Sequence, residues 1–397
     1  YQISMSTTKP QRINVEFVSA YPSRPLRGED AYAAIIGDVL ARMAAALGHD
    51  VTREYYVNDA GPQADALARG VFARCVAPSE FESDEITALA ATVRQGLPKE
   101  LFTAAEADWL PLVRHAAVQA AMASIGEGLA ALEVQFDTFT HESSLETRGE
   151  LPRLFSDFAR KDALMDSSGN LITTAPETPT ARLMLDTVSR GDLRPRPLTD
   201  GDGRYTYYAA DLAYHSDKLA RGYDLLIDVF RKDHASYAPG LIAGVDLISA
   251  GQAQLLVCLI DPVRPALAQE MSPRAPAATA LPSLEALLAY YGPRLLRRLF
   301  LSHTPGEPLV LNCDAATRTE LLRAEEACTN ARALPLGGTE PPEPASPPIE
   351  AAFIAKSPHM LMASTDALAA ECLHMGAITS RAKDILEQSL SALGLAQ

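Results

Sequence analysis

The sequence has few of the residues that build zinc sites and disulfide frameworks. Among 397 residues there is no Cys-x-x-Cys pair and no His-x-x-x-His cluster, and such sites depend on these spacings. We therefore predict no metal site and a reducing, cytoplasmic location, where thiols stay free. The five cysteines are widely separated, at Cys75, Cys258, Cys313, Cys328 and Cys372.

Long apolar runs and basic residues are also scarce. No stretch reaches the roughly 20 apolar residues of a membrane-spanning helix, and no signal-peptide pattern opens the chain, so we expect no membrane partner. With 35 Lys and Arg against 50 Asp and Glu, the formal net charge is −15. Because nucleic acids select basic surfaces, this acidity argues against a DNA partner. It weakens the case for a tRNA partner without removing it.

One segment, YGPRLLRRLFLSH, concentrates basic side chains at Arg294, Arg297 and Arg298. Arginines at this spacing usually form one solvated face of a helix. We favour that interpretation, and a local contact with RNA stays as the alternative.

The stretch from 12 to 63 has the pattern of a βαβ unit. Residues 12–19 alternate apolar and polar side chains and predict a strand, and residues 51–57 are rich in β-branched and aromatic residues and predict another. Between them, residues 31–47 carry apolar side chains at helical spacing. Ligands of such units lie beyond the carboxyl ends of the strands, so we expect the site around residues 20–30.

Several motifs carry a resemblance to a known family. They are INVEFVSA, Pro25-Leu26, IIGDVLARM and DVTREYYVNDAGPQ, followed later by FDTFTHESSL and YTYYAADLAYH. Together they resemble the catalytic domain of arginyl-tRNA synthetases, which are class I aminoacyl-tRNA ligases. The resemblance covers roughly residues 12–330. It implies an α/β fold: a class I Rossmann parallel sheet with a helical insertion and a short, truncated α-helical C-terminal region.

The resemblance also implies how the chain divides. The expected segments are a disordered tail or expression remnant (1–11), the first Rossmann half (12–63), a connective insertion (64–203), the second half (204–262), a signature-loop segment (263–303) and an anticodon-binding-like helical region (304–397). Within the last, residues 334–350 are rich in proline, glycine and acids and predict a disordered linker. In the family, the insertion helps to accept the end of the tRNA and an extra N-terminal domain reaches the tRNA elbow. We expect no counterpart of that domain here.

Patterning within these segments predicts their elements. Residues 64–145 are helical until FDTFTHESSL returns to a strand, and a hairpin is expected around residues 166–170. Residues 204–250 read as strand, helix, strand and helix. A further strand over 256–260 and a helix over 284–301 follow.

At the first class I signature, the family's His-x-Gly-His is replaced. Its four positions hold Arg27, Gly28, Glu29 and Asp30. A helix N-terminus attracts phosphates through its free N–H groups and its dipole, and two carboxylates there occupy those donors and repel a triphosphate. A plainer interpretation is that Glu29 and Asp30 are ordinary helix caps. Either way, the phosphate site is lost.

Two further positions of the ATP site also differ. The family's Lys-Met-Ser-Lys-Arg matches residues 270–274, where Glu270 and Pro273 replace the two lysines. Adenylation depends on positive charge aimed at the phosphates, so this change should cost on the order of several kcal/mol. Arg231 stands where the family has the glycine of Trp-Gly-Ala-Asp-His, under the adenine. The sequence therefore predicts loss of standard ATP-dependent adenylation, leaves ATP doubtful and names no other cofactor.

The amino-acid end of the site keeps the family's residues. Glu16, Tyr207 and Asp211 match the side chains that hold the guanidinium of arginine in the family. Carboxylates and a hydroxyl suit a planar cation with five N–H donors. Tyr21 replaces the asparagine that contacts the α-end of the substrate. We predict that an arginine-like small molecule binds here, and the alternative is that these residues are inherited packing.

The rebuilt end of the site supplies the remaining candidates. Asp233 and His234 form either an acid–base pair or an ordered strand end. Cys258 has no visible histidine partner and is interpreted as buried and inert, and His215 as structural. Ser272 lacks a base and is no nucleophile. The catalytic candidates are Tyr21, Arg27, Glu29, Asp30, Asp233 and His234, with Lys232 beside them.

Three functions remain open from the sequence. The favoured one is an enzyme of this lineage that acts on the α-end of arginine, or of a related guanidino compound, by different chemistry, for example in specialised biosynthesis. The second is a non-catalytic pseudo-synthetase that binds arginine or a partner. The third is a residual arginine–tRNA ligase with altered signatures.

Overall fold

A computed structural model describes most of the chain. The described residues are 9–78, 85–266, 281–311, 313–337, 349, 352, 357–375 and 378–395. Within these ranges, no helix combines the length and the apolar character that a membrane span requires. Residues 1–8 of the predicted tail and 338–348 of the predicted linker lie outside the described residues.

Helices and short strands alternate along the described chain. The helices are α1 (Gly28–Ala46), α2 (Gly61–Val76), α3 (Glu85–Gly96), α4 (Glu106–Ala131), α5 (Glu142–Thr147), α6 (Glu150–Arg160), α7 (Tyr207–Ala220), α8 (Ala238–Ser249), α9 (Leu284–Leu301), α10 (Ala315–Arg332), α11 (Pro358–Met375) and α12 (Ser380–Ala392). The strands are β1 (Arg12–Glu16), β2 (Asp50–Val57), β3 (Thr138–His141), β4 (Leu164–Asp166), β5 (Leu183–Leu185), β6 (Arg196–Pro197), β7 (Leu225–Arg231), β8 (Gln254–Ile260), β9 (Val263–Pro265) and β10 (Leu309–Leu311).

The main sheet is parallel and has the strand order β3-β2-β1-β7-β8. Chain order runs outward in both directions from the β1–β7 pair, which is where ligands of open α/β sheets bind. The predicted α/β fold with a parallel Rossmann-type sheet is therefore confirmed.

The first βαβ unit is held by close packing of α1 on β1. Ile13 and Val15 of β1 are fully buried, and α1 is buried on almost every side. A side chain at Gly37 would place its Cβ 2.1 Å from Cγ of Phe17, so only glycine allows this approach. The helix begins at Gly28, beside the acids Glu29 and Asp30 that indicate a helix start in the sequence, and Asp30 caps it.

Two smaller cores flank the sheet. Helices α2, α3 and α4 share one, in which Phe72 stacks on Trp109 with the ring centroids 3.8 Å apart. The antiparallel sheet β4-β5-β6 packs with α6, α7 and α8 around the other. In α9, the helix bends at Gly292, whose φ of 71° lies in the left-handed region, just before Pro293.

The structure differs from the sequence prediction in two places. The expected strand at the start of the 204–250 segment is wrong, since Thr206 caps α7 by accepting a hydrogen bond from the backbone N of Ala209. The expected insertion, residues 64–203, contains β3, which pairs with β2 in the main sheet. Strand pairing is a long-range contact, so the sequence pattern alone could not show which sheet includes this strand.

The arginines of α9 do not form a solvated face. Arg297 and Arg298 are 1% and 0% exposed, so neither the predicted solvent-facing role nor the alternative RNA contact is correct for them. The guanidinium of Arg297 lies 2.7 Å from the carboxylate of Asp38 on α1, and that of Arg298 lies 2.7 Å from Asp366 on α11. Arg294 is paired with Glu325 on α10. The acids that match these cations lie far away in sequence, which is why the local pattern misled.

We expect the Arg297–Asp38 pair to be a major support of the C-terminal helices. In an Asp38→Asn variant, Arg297 keeps its charge in a buried position without its carboxylate, so the free energy of unfolding should fall by about 3–5 kcal/mol. The matched control is Asp50→Asn, which removes the exposed partner of Arg12 and should cost no more than about 1 kcal/mol. Urea unfolding curves measure both, and equal costs would contradict the inference.

Candidate functional site

A cavity of about 690 Å³ opens at the carboxyl ends of β1, β2 and β7. It brings together most of the side chains that the sequence singled out, while Arg27, Lys232 and Asp233 are not among the described residues that line it. Glu270, Ser272 and Pro273 lie outside the described residues. The predicted site residues that line the cavity are Glu16, Tyr21, Glu29, Asp30, Tyr207, Asp211, Arg231 and His234.

The chain turns sharply at the end of β1 to build one wall of this cavity. Val18 and Ser19 have φ angles of 69° and 41°, in the left-handed region. A β-branched residue rarely adopts that conformation, and such strain is typical of binding sites. The turn lets the Ser19 hydroxyl donate to Oε1 of Glu16 at 2.9 Å and accept from the backbone N of Tyr56 at 3.1 Å. Glu16 is thereby fixed at the floor of the cavity.

A lysine that the sequence analysis missed lies beneath Glu16. Nζ of Lys218, on α7, is 2.6 Å from Oε2 of Glu16 and 3.2 Å from Oδ1 of Asp228 on β7. The ammonium group also lies 4.3 Å from the ring centroid of Tyr214. Burial opposes the charge, but Asp228 and Glu16 outweigh it and raise the pKa of Lys218. The lysine is therefore a permanent internal cation.

His215 is a second internal cation. Its Nδ1 lies 2.8 Å from the backbone oxygen of Asp211, and its Nε2 lies 2.9 Å from Oδ2 of Asp228. Both neighbours are acceptors, so both ring nitrogens carry protons. Burial and Lys218 oppose this, yet Asp228 and Asp211 raise the pKa of His215 to about 10. The structural role predicted for His215 agrees with this geometry.

The spacing of these residues was a signal in the sequence. Asp211, His215 and Lys218 are four and three positions apart, so they lie on one face of a helix. A helix face that carries one acid and two cations, packed against strands that carry Glu16 and Asp228, predicts an internal ion cluster.

The floor of the cavity has more negative than positive groups. Three carboxylates, those of Glu16, Asp211 and Asp228, face the two cations Lys218 and His215, which leaves one negative charge when all are ionised. Burial raises the pKa of Glu16 to about 7, against the effect of Lys218. Glu16 and Asp211 line the cavity, so the excess charge faces an incoming ligand.

The same cluster includes the described side chains best placed to hold a metal ion. Ligand atoms of Glu16, His215 and Asp228 lie within 4.8 Å of one another. The ammonium of Lys218 already bridges two of these three residues, and His215 uses both ring nitrogens as donors. A metal ion would have to displace the lysine and deprotonate the histidine, so the donor set does not fit one.

Two tyrosines complete the floor. The hydroxyl of Tyr237 donates to Oδ2 of Asp211 at 2.7 Å and fixes that carboxylate. Tyr207 also lines the cavity and is 58% exposed. The ring centroids of Tyr207 and Tyr237 are 5.9 Å apart. Sequence motifs indicated Tyr207 but not Tyr237, which comes from a different segment.

The opposite end of the cavity consists of ion pairs. Asp30 accepts a hydrogen bond from the backbone N of Arg27 at 2.8 Å, which is the capping role considered from the sequence. Arg24, which the sequence analysis missed, holds Asp30 at 2.6 Å and Glu29 at 2.7 Å. The side chain of Arg27 leaves the cavity and lies 3.1 Å from Glu85 on α3.

Arg231 closes the same end from β7. Its guanidinium lies 3.1 Å from Asp233 and 3.6 Å from Glu29. Asp233 and His234 are loosely placed, with 3.8 Å between Oδ1 and Nε2, which does not make the acid–base hydrogen bond. Lys232 pairs with Asp261, outside the cavity.

The remaining candidates have simpler environments. Tyr21 lies at the cavity wall, partly exposed, and burial followed by the charge of Glu142 raises its pKa. Cys258 is buried in the main core and is not among the described residues that line the cavity, as the inert interpretation requires.

Comparisons with known proteins show which proteins this chain resembles. No family model matches the chain. The chain is 36% identical over 274 residues to the arginine–tRNA ligase of Rhodospirillum rubrum, and 37% identical over 274 residues to that of Xanthobacter autotrophicus. Each match covers 64% of this chain and 46% of the relative. The chain therefore spans about half the length of the curated relatives it matches.

Solved structures extend the likeness in fold to nearly the whole chain. A protein described as an arginyl-tRNA synthetase from Campylobacter jejuni superimposes with a TM-score of 0.74 at 21% identity, over 98% of this chain and 93% of that one. The arginyl-tRNA synthetase of Thermus thermophilus gives 0.73 at 15% identity, over 98% and 82%. At these identities the structures show a common fold. Together with the sequence similarity over nearly two thirds of the chain, they show that the chain is similar to arginyl-tRNA synthetases and shares their fold.

Proposed function

We propose that the protein binds arginine, or a related guanidino compound, in the main cavity and acts on its α-end without standard ATP-dependent adenylation. The observation that carries this proposal is the contrast between the two ends of one cavity. The floor presents carboxylates with one uncompensated negative charge, and the opposite end is closed by ion pairs at the start of α1.

The floor suits a guanidinium in shape as well as in charge. Carboxylates of Glu16 and Asp211 can accept hydrogen bonds from a planar donor group, as in arginine–carboxylate pairs. Glu16 is fixed by Ser19 and Lys218, and Asp211 by Tyr237, so both acceptors are preorganised before a ligand arrives. A cationic ligand would balance the excess negative charge of Glu16, Asp211 and Asp228. These carboxylates therefore favour a cation.

The other end of the cavity, at the start of α1, does not suit ATP. A triphosphate at the start of α1 would meet Glu29 and Asp30, and Asp30 already uses one of the N–H groups there. Arg24 donates short hydrogen bonds to both of these acids, so its charge is not free for phosphate. The side chain of Arg231 lines the cavity where the family has glycine. The replacements at Glu270 and Pro273 support the same conclusion from the sequence.

Two other functions have specific support. A non-catalytic arginine binder needs no reacting groups, and the closed ion pairs around Glu29 fit that role. Residual arginine–tRNA ligation is supported by the names of the sequence relatives, and it would require a tRNA partner. In each case we expect no DNA or membrane partner, and the free cysteines fit a reducing cytoplasm.

Arginine should stabilise the protein against heat, because a ligand that binds only the native state adds about 2.7 kcal/mol at a hundredfold excess over Kd. Asp211→Asn removes one guanidinium acceptor and should abolish the shift in Tm. The matched control Asp157→Asn changes an exposed acid on α6 and should keep it. An unchanged shift in Asp211→Asn would dispose of the pocket assignment.

ATP should fail the corresponding tests. We expect no shift in Tm with ATP and no arginine-dependent exchange of pyrophosphate into ATP, with an active arginyl-tRNA synthetase as the positive control. The reason is the loss of donors and positive charge at the phosphates. Exchange above background would contradict the proposal and favour the residual ligase. Stabilisation by arginine without exchange is the expected pair of results.

The affinity for arginine should rise with pH. Since the pKa of Glu16 is raised to about 7, its carboxyl group is protonated and neutral below that pH and charged above it. A guanidinium stays charged throughout, so affinity should increase between about pH 6 and pH 8, by up to about tenfold per unit below the pKa. Calorimetric titration measures this, and in Glu16→Gln the slope should disappear. A flat profile in the unmodified protein would be inconsistent with a role for Glu16.

A further inference from the structure

Arg231 ends the strand that flanks the ligand crevice. In the main sheet, β1 and β7 are the neighbours at which the strand order reverses, and a ligand there lies between their carboxyl ends. Glu16 is the last residue of β1, and Arg231 is the last residue of β7. Both line the main cavity. An anionic and a cationic side chain therefore mark the two sides of one crevice.

The register of the two strands separates these charges along the crevice. Glu16 is paired with Asp228, so Arg231 lies three residues farther along β7. At about 3.3 Å per residue, this places it about 10 Å beyond the level of Glu16. An extended arginine molecule has its guanidinium at one end and its α-carboxylate at the other. A ligand whose guanidinium lies at Glu16 therefore extends its carboxylate towards Arg231.

Arg231 is also the cation at this end that can accept a new partner. Its contacts are the exposed Asp233 at 3.1 Å and Glu29 at 3.6 Å, and its own side chain is 45% exposed. Solvent-exposed pairs of this kind contribute little, so a ligand carboxylate can replace Asp233 at low cost. Arg24 differs, because it holds Asp30 and Glu29 at 2.6 and 2.7 Å and also donates to the backbone oxygen of Pro25.

We infer that Arg231 binds the α-carboxylate of the ligand, so that the site selects free guanidino amino acids over analogues that lack this carboxylate. Arg231 is then a specificity-determining residue. It binds the carboxylate of the ligand at the position where the family has a glycine that makes room for the adenine base. This inference rests on the proposed arginine site and adds the chemical class that the site accepts.

The test is a thermodynamic cycle between one ligand group and one side chain. Calorimetric titration compares arginine with argininamide, in which a neutral amide replaces the carboxylate. The comparison is made in the unmodified protein, in Arg231→Gln and in the control Arg204→Gln. Arg204 is an exposed arginine paired with Asp202 and is not among the described residues that line the cavity. Because the cycle takes the ratio of ratios, general effects of net ligand charge cancel.

We expect arginine to be favoured over argininamide about tenfold or more in the unmodified protein and in Arg204→Gln, as for a charge-assisted hydrogen bond. In Arg231→Gln the preference should fall to within about twofold, through weaker binding of arginine. An undiminished preference in Arg231→Gln, or equal affinities in the unmodified protein, would overturn the inference and leave arginine binding intact. If neither ligand binds, the proposed function itself fails, and this inference with it.

Discussion

The ion cluster under the cavity is the constraint on which the rest of the structure depends. Helix α7 and the residue that follows it provide cations to three neighbouring strands. His215 and Lys218 reach Asp228 on β7, and Lys218 also reaches Glu16 on β1. Arg221, at the C-cap of α7, holds Glu54 on β2. Removing such charges from water is costly, and the cost is recovered only when every partner is in place. The cluster therefore fixes the position of α7 against the centre of the sheet. It also sets the charge that faces the ligand.

The two ends of the cavity have different relations to the fold. The floor is part of the core, since its carboxylates hold α7 and the strands together, and changing it would disturb both packing and binding. The opposite end is made of side chains on a loop and on the first turn of α1. Arg24, Glu29 and Asp30 hydrogen-bond to one another there, and Arg231 at the end of β7 adds a looser ion pair with Glu29. Side chains at this end can therefore change while the fold is retained.

Sequence patterns predicted the elements around β1, α1 and β2 because their core is built from local periodicity. Ile13 and Val15 face inward by alternation, and α1 follows from apolar spacing and its capping acid. The patterns failed where a charge finds its partner through the tertiary fold. The sequence pattern placed Arg297 and Arg298 on a solvated helix face. The acids that pair with them, Asp38 and Asp366, come from other helices. Arg24 was missed for a related reason, since nothing in its local sequence distinguishes it.

The sequence by itself determined the α/β class and the first βαβ unit, with Glu16 at the end of its first strand. Only the tertiary structure decided that Glu16 shares a lysine with Asp228, that His215 lies between two oxygen acceptors, and that Arg231 lines the same cavity as Glu16. The physical reason is the distance along the chain over which each kind of interaction acts. Periodicity and capping act between residues a few positions apart, whereas a charge buried in low dielectric is stabilised by whichever opposite charge the fold brings within a few ångströms.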